Sequence, residues 1–188
     1  FKNYKIIVLG HSLGAFMMPK IANSVSFDKA VMMAGNARDL QDVIIDQYVY
    51  LNSLNPTKEG ENEIATIKKE VSFLTSNKFN TTLSSDELPL GLSAKYWQSL
   101  LNYKPLVEVK KVAIPLLILN GERDYQVTMK EFNLWKKTLG KTKTQFISYP
   151  KLNHLFISGE GTPSPEEYSV KGKVDQKVIQ DIITFCKL

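Results

Sequence analysis

The residues best suited to chemistry in this chain are a serine between two glycines, a lone pair of histidines and a few acids near turns. Gly10-His11-Ser12-Leu13-Gly14 holds the serine with a glycine two positions away on either side. The apolar run Ile6–Leu9 precedes it and helix-compatible residues begin at Leu13, so the pentapeptide falls at a strand-to-helix turn. Such a turn is strained: it pushes the serine to its tip, so that the hydroxyl stands clear of the sheet. Glycine is expected at both 10 and 14, because a side chain at either would collide with the neighbouring strand or helix. The hydroxyl also lies beside the first free N–H groups of the helix, which favour developing negative charge. A serine that merely caps a helix is the alternative. The strand ahead of it and the paired glycines favour a nucleophile.

A serine nucleophile needs a base, and the sequence offers two histidines, His11 and His154. His11 adjoins the serine, so its side chain is expected to point elsewhere and to pack beneath the turn. His154 lies in a loop after an expected strand, Thr144–Pro150, where reactive groups of open α/β sheets gather. The acid should also sit at a strand's carboxyl end. Asp124 fits, in Gly121-Glu122-Arg123-Asp124, and Glu122 is its local competitor. Asp39, Asp42 and Asp46 read instead as the solvated face of a helix. Cys186 is the only cysteine; an intrachain disulfide is impossible and a His/Cys metal site improbable. No cofactor is called for.

The elements that must position these groups alternate. After the turn, Leu13, Phe16, Met17 and Ile21 recur at helical spacing, with Pro19 removing one backbone donor. Ala30–Ala34 is a short apolar strand stopped by Gly35. From 36 to 111 the texture becomes mostly helical. Leu40, Val43, Ile44, Tyr48 and Leu51 form one stripe, an amphipathic helix spans 61–74, and an aromatic segment runs from 88 to 103. A strand returns at 114–119, followed by a helix over 132–139, the strand at 144–150, and a Gly/Pro/Ser-rich stretch over 158–165. The last helix spans 175–186 through Val178, Ile182 and Phe185. Apolar strands alternating with helices imply a parallel sheet covered on both faces. Residues 1–35 and 112–188 then form the core, and 36–111 a helical cap inserted between core strands.

Bulk properties narrow the function classes. With 43% hydrophobic and 23% charged residues over 188 positions, the chain reads as an ordinary globular protein. The net charge is +5, but Arg38 and Arg123 are the only arginines among 24 basic residues, and the lysines are scattered or interleaved with acids. Nucleic-acid sites favour Arg forks or a concentrated basic stripe, so no nucleic-acid partner is expected. No apolar stretch approaches the ~20 residues of a membrane span. A chain that opens on Phe1 and enters a buried-type strand within four residues is expected to be a piece of something longer. Nothing in the sequence assigns a compartment.

The order Ser12…Asp124…His154 differs from the chymotrypsin and subtilisin orders and matches that of α/β-hydrolases. The chain resembles the carboxyl-terminal part of that superfamily, especially bacterial esterase members grouped with dienelactone hydrolases and prolyl-oligopeptidase-like acylhydrolases. The resemblance is carried by Val8–Gly14, Ala34-Gly35-Asn36-Ala37-Arg38, Asn120–Val127 and Leu152-Asn153-His154-Leu155-Phe156; Ala15 stands where relatives often have a further glycine. It implies an α/β-hydrolase fold truncated on its N-terminal side, with Ser12 as nucleophile, Asp124 as acid and His154 as base. It also implies an acyl-enzyme route on a small-molecule ester. Peptidase or acyltransferase action on the same scaffold, or an inactive interaction module, are the other readings. The N–H of Leu13 would supply one oxyanion donor; in relatives the second comes from a loop after the third strand, not found here. Losing such a donor costs roughly 10²–10³ in rate. Tyr48, Tyr96, Trp97 and Tyr103 are candidate walls of an acyl pocket. Ile6–Leu9 would form an apolar sheet edge open to pairing with another copy.

Overall fold

The computed structural model describes residues 4–140 and 142–187; Phe1, where the chain opens, lies outside them. In chain order the elements are β1 (Ile7–His11), α1 (Leu13–Ser24), β2 (Lys29–Met33), α2 (Leu40–Leu54), α3 (Lys58–Leu74), α4 (Ala94–Leu101), α5 (Pro105–Glu108), β3 (Leu116–Gly121), α6 (Met129–Leu139), β4 (Gln145–Tyr149) and α7 (Gln176–Lys187). Short 3-10 turns fill several connections, among them Pro165–Ser169. The chain divides into two compact units: Phe1–Ala37 with Pro105–Leu188, and Arg38–Lys104.

The first unit is built on a four-stranded, all-parallel sheet in the order β1-β2-β3-β4. Its two central strands are buried at every position, which explains why they read as unbroken apolar runs. Period-2 alternation then sends β2 both ways. Ala30 and Met32 face a core shared with Ala15 and Met18 of α1 and Phe132 and Trp135 of α6. Val31 and Met33 face another core, shared with Val178 and Phe185 of α7. Each large side chain taken out of water in this way contributes about 1.5–3 kcal/mol. The unit also takes in residues 105–111, expected to lie in the insertion, because Leu106 and Val109 pack into the α1/α6 core.

Buried polar groups on these faces are paired. Trp135 Nε1 donates to the Gly35 carbonyl at 2.7 Å, and the fully buried Glu131 accepts from the Ala37 N–H at 2.8 Å. Lys29 Nζ donates to the Phe185 carbonyl at 2.8 Å and the Cys186 carbonyl at 3.4 Å. That ammonium satisfies carbonyls of the last turn of α7 and meets its negative dipole end. β1 is an edge of the sheet, with Leu9 half exposed.

The second unit is helical. Thr57 caps α3 by accepting the Gly60 N–H at 3.0 Å, and α2 packs on α3. Asp39 pairs with Lys104, and Asp46 pairs with Arg38 at 2.6 Å. Asp42 and Asp46 are exposed, as expected of a solvated helix face, and Asp39 is half-buried. Trp97 is fully buried and its Nε1 donates to the Pro89 carbonyl at 3.1 Å; Tyr103 is buried as well. Tyr96 is half-buried, and Tyr48 lines a shallow cavity of about 400 Å³ with Asn62, Glu63, Thr66, Ile67 and Glu70.

Candidate active site

Ser12 sits where the strand turns into the helix, with φ 54° and ψ −117°. A non-glycine residue held in this region costs about 1–3 kcal/mol and persists only where its surroundings fix it. Here they do: the Ser12 N–H donates to the Met33 carbonyl at the end of β2 at 2.9 Å, and its carbonyl accepts the Phe16 N–H of α1 at 2.9 Å. The two flanking glycines differ, contrary to the expectation that both are sterically required. A Cβ on Gly10 would lie 2.5 Å from the Gly14 carbonyl oxygen, whereas one on Gly14 would meet nothing within 4 Å. Gly14 lies in the exposed first turn of α1. Leu13 opens α1, so its N–H is among the first-turn donors that a helix leaves without an internal acceptor.

Asp124 and His154 meet in the interior. His154 Nδ1 lies 2.7 Å from Asp124 Oδ2, with both residues almost wholly buried. The carboxylate accepts, so Nδ1 carries a proton. The other carboxylate oxygen, Oδ1, accepts the backbone N–H groups of Gln126 and Val127, both at 2.8 Å. Three contacts thus hold Asp124 at the end of β3. Its competitor, Glu122, is exposed and accepts instead from the Ser148 hydroxyl at 2.7 Å.

The loop bearing His154 is folded around Asn153. The Asn153 Oδ1 accepts the N–H groups of Leu155 at 3.0 Å and Ile157 at 3.2 Å, a turn that asparagine makes readily. Phe156, at φ 57°, closes the turn and is buried.

His11 does more than pack beneath the turn. Its Nε2 donates to the His154 carbonyl at 2.8 Å, and the two rings lie 4.7 Å apart. The residue beside the serine therefore touches the residue that pairs with Asp124. Burial, more than any neighbour, pushes the His11 pKa down. Adjacency to Ser12 gave no sign of this contact, because it joins positions far apart in the chain. Among the described residues no cluster of three or more His, Cys, Asp or Glu side chains could hold a metal ion. No helix among them is long and apolar enough to cross a membrane.

Against known proteins, the chain is 40% identical over 179 residues to Esterase EstD of Thermotoga maritima. The match takes in 95% of the chain and 42% of that esterase. The chain is a homologue of this esterase. Its parallel sheet is flanked by helices and carries the strained serine turn. No protein-family model matches it. Among solved structures, the esterase domain of a Rhodothermus marinus protein aligns with 79% of the chain and 52% of its own length, at 13% identity and a TM-score of 0.49. A Pyrococcus furiosus esterase aligns with 78% of the chain and 47% of its own length (14% identity, TM-score 0.48). The Pyrococcus horikoshii acylaminoacyl peptidase aligns with 80% of the chain and 20% of its own length (18% identity, TM-score 0.46).

Proposed function

We propose that this chain carries the reacting side chains of a serine ester hydrolase, with Ser12 as nucleophile, His154 as general base and Asp124 as the acid that orients it. The observation that supports this most is the buried 2.7 Å contact between His154 and Asp124 at the rim where Ser12 is held in a strained turn. Homology to an esterase supports the same chemistry.

In the first half of the reaction, His154 Nε2 takes the proton from Ser12 as its oxygen attacks an ester carbonyl. The carbonyl π bond opens to an oxyanion, which the Leu13 N–H stabilises from the positive end of α1. Asp124 stabilises the imidazolium; His154 then returns the proton to the departing alkoxide as the acyl–oxygen bond breaks. Water, activated by the same imidazole, attacks the acyl-enzyme and releases the acid.

Hydrolysis of short-chain p-nitrophenyl esters tests it. Turnover by the intact protein should fall by about 10³-fold or more in Ser12→Ala and in His154→Ala. Wild-type turnover by Ser12→Ala would refute it.

A further inference from the structure

Arg123 stands immediately before Asp124, and Asn153 immediately before His154. One side chain reaches both. Glu167, on the 3-10 turn Pro165–Ser169, pairs through Oε1 with Arg123 Nη2. Through Oε2 it accepts the Asn153 Nδ2–H at 3.3 Å. Arg123 and Glu167 are each only about one-seventh exposed, at 13% and 15%, so this ion pair is shielded and better fixed than a surface bridge.

The link is multiply braced. Arg123 Nη1 donates to the Gly161 carbonyl at 2.6 Å and Nη2 to the Glu160 carbonyl at 3.0 Å. Its backbone N–H donates to the Leu152 carbonyl at 3.0 Å, joining the acid loop to the base loop a second time. Gly159 lets the carboxylate close in, since a Cβ there would lie 2.8 Å from both Glu167 oxygens. The neighbouring Tyr168 accepts from Gln126 Nε2 at 2.8 Å, and the backbone of Gln126 donates to Asp124.

We infer that Glu167 is a positioning residue: it clamps the loop bearing Asp124 to the loop bearing His154 and so fixes the geometry between them. The clamp rests on the reading of those two residues as acid and base. It does not touch the reacting atoms. A fork of guanidinium donors on one side and an amide on the other lets a single carboxylate set the separation of two loops that meet nowhere in sequence. Loosening it lets Asp124 and His154 drift, and a base misaligned by an ångström loses much of its rate.

The test joins a spectroscopic readout to a kinetic one. Selective isotope labelling of histidine gives ring signals from only His11 and His154. The Nδ1 proton of His154, held by Asp124, should exchange slowly with solvent in the wild type. In Glu167→Ala its exchange should quicken by about tenfold or more. Glu167→Gln, which keeps an oxygen for Arg123 or Asn153, should fall between. On p-nitrophenyl esters, kcat should drop by about tenfold or more with KM within about twofold, out of the roughly 10²–10⁴ that a general base supplies. The acid limb of kcat/KM should move to lower pH, because a displaced Asp124 stabilises the imidazolium less.

Folded Glu167 variants that keep both the wild-type exchange rate and the wild-type acid limb would overturn the inference. So would variants that lose activity only in proportion to titratable sites, with the limb unmoved. Should neither Glu167 variant fold, Arg123→Gln cuts the same link from the other side, and unchanged exchange there counts equally against it. A wild type without Ser12-dependent turnover would refute the esterase reading, and the exchange rate would still decide the clamp.

Discussion

At the scale of single residues, the carboxylate of Asp124 has two separate tasks. One oxygen fixes its own loop through two backbone N–H groups, and the other holds His154. Asp124→Asn keeps one acceptor and places an amide beside the other partner, which favours the wrong imidazole tautomer. In the serine-hydrolase reading kcat should fall on the order of 10³–10⁴ while the fold survives, checked by steady-state kinetics beside a thermal melt. His11 titrates with a definite sign. Its folded pKa is pushed below the ordinary value of about 6.5 by burial. Between the two values the unfolded chain binds the extra proton and the folded chain does not, so stability rises with pH there. It is lost as pH falls through about 6.5, until the folded imidazole also takes its proton. Thermal midpoints compared at about pH 5 and about pH 8 should therefore differ more in the wild type than in His11→Gln. An equal difference would remove this role.

At the scale of elements, the junction of β1 and α1 depends on one glycine rather than two. Gly10→Ala would drive a Cβ into the Gly14 carbonyl and the Ala15 nitrogen, 2.8 Å away, both rigid backbone. It should destabilise the protein by about 1–3 kcal/mol and shift the serine. Gly14→Ala meets open space in a helical turn and should be neutral or stabilising by up to about 1 kcal/mol. Denaturant midpoints of the two variants check the contrast. The glycine pattern in the sequence could not separate these cases, because G-x-S-x-G records spacing and not which Cα faces a backbone. Strands were more legible. β2 and β3 are buried on both faces, so their apolar runs appear undiluted. Their ends were less so: β1 continues through Gly10 and His11, and β3 through Asn120 and Gly121, because the parallel ladder carries turn-type residues one step further. In the second unit α3 began at Lys58, earlier than the apolar stripe suggested, since a capped first turn is polar.

At the scale of the molecule, what was readable is what is local. Ser12, Asp124 and His154 each sit at a strand's carboxyl end, and a strand end can be found from a run of β-formers. Glu167 sits in the Gly/Pro/Ser-rich region, where composition signals only irregular backbone; its link to Arg123 and Asn153 arises from folding alone. The contact of His11 with His154 is of the same kind. The chain spans 42% of the length of its esterase relative, and the four-stranded sheet presents β1 at its edge. Fluorophosphonate labelling followed by peptide mapping bears most directly on the proposed chemistry, because the probe reacts only with an activated serine. Labelling of the intact, folded protein should fall on Ser12 alone and disappear in both Ser12→Ala and His154→Ala. A folded protein that takes no label, or one whose label survives Ser12→Ala, would contradict the proposed nucleophile.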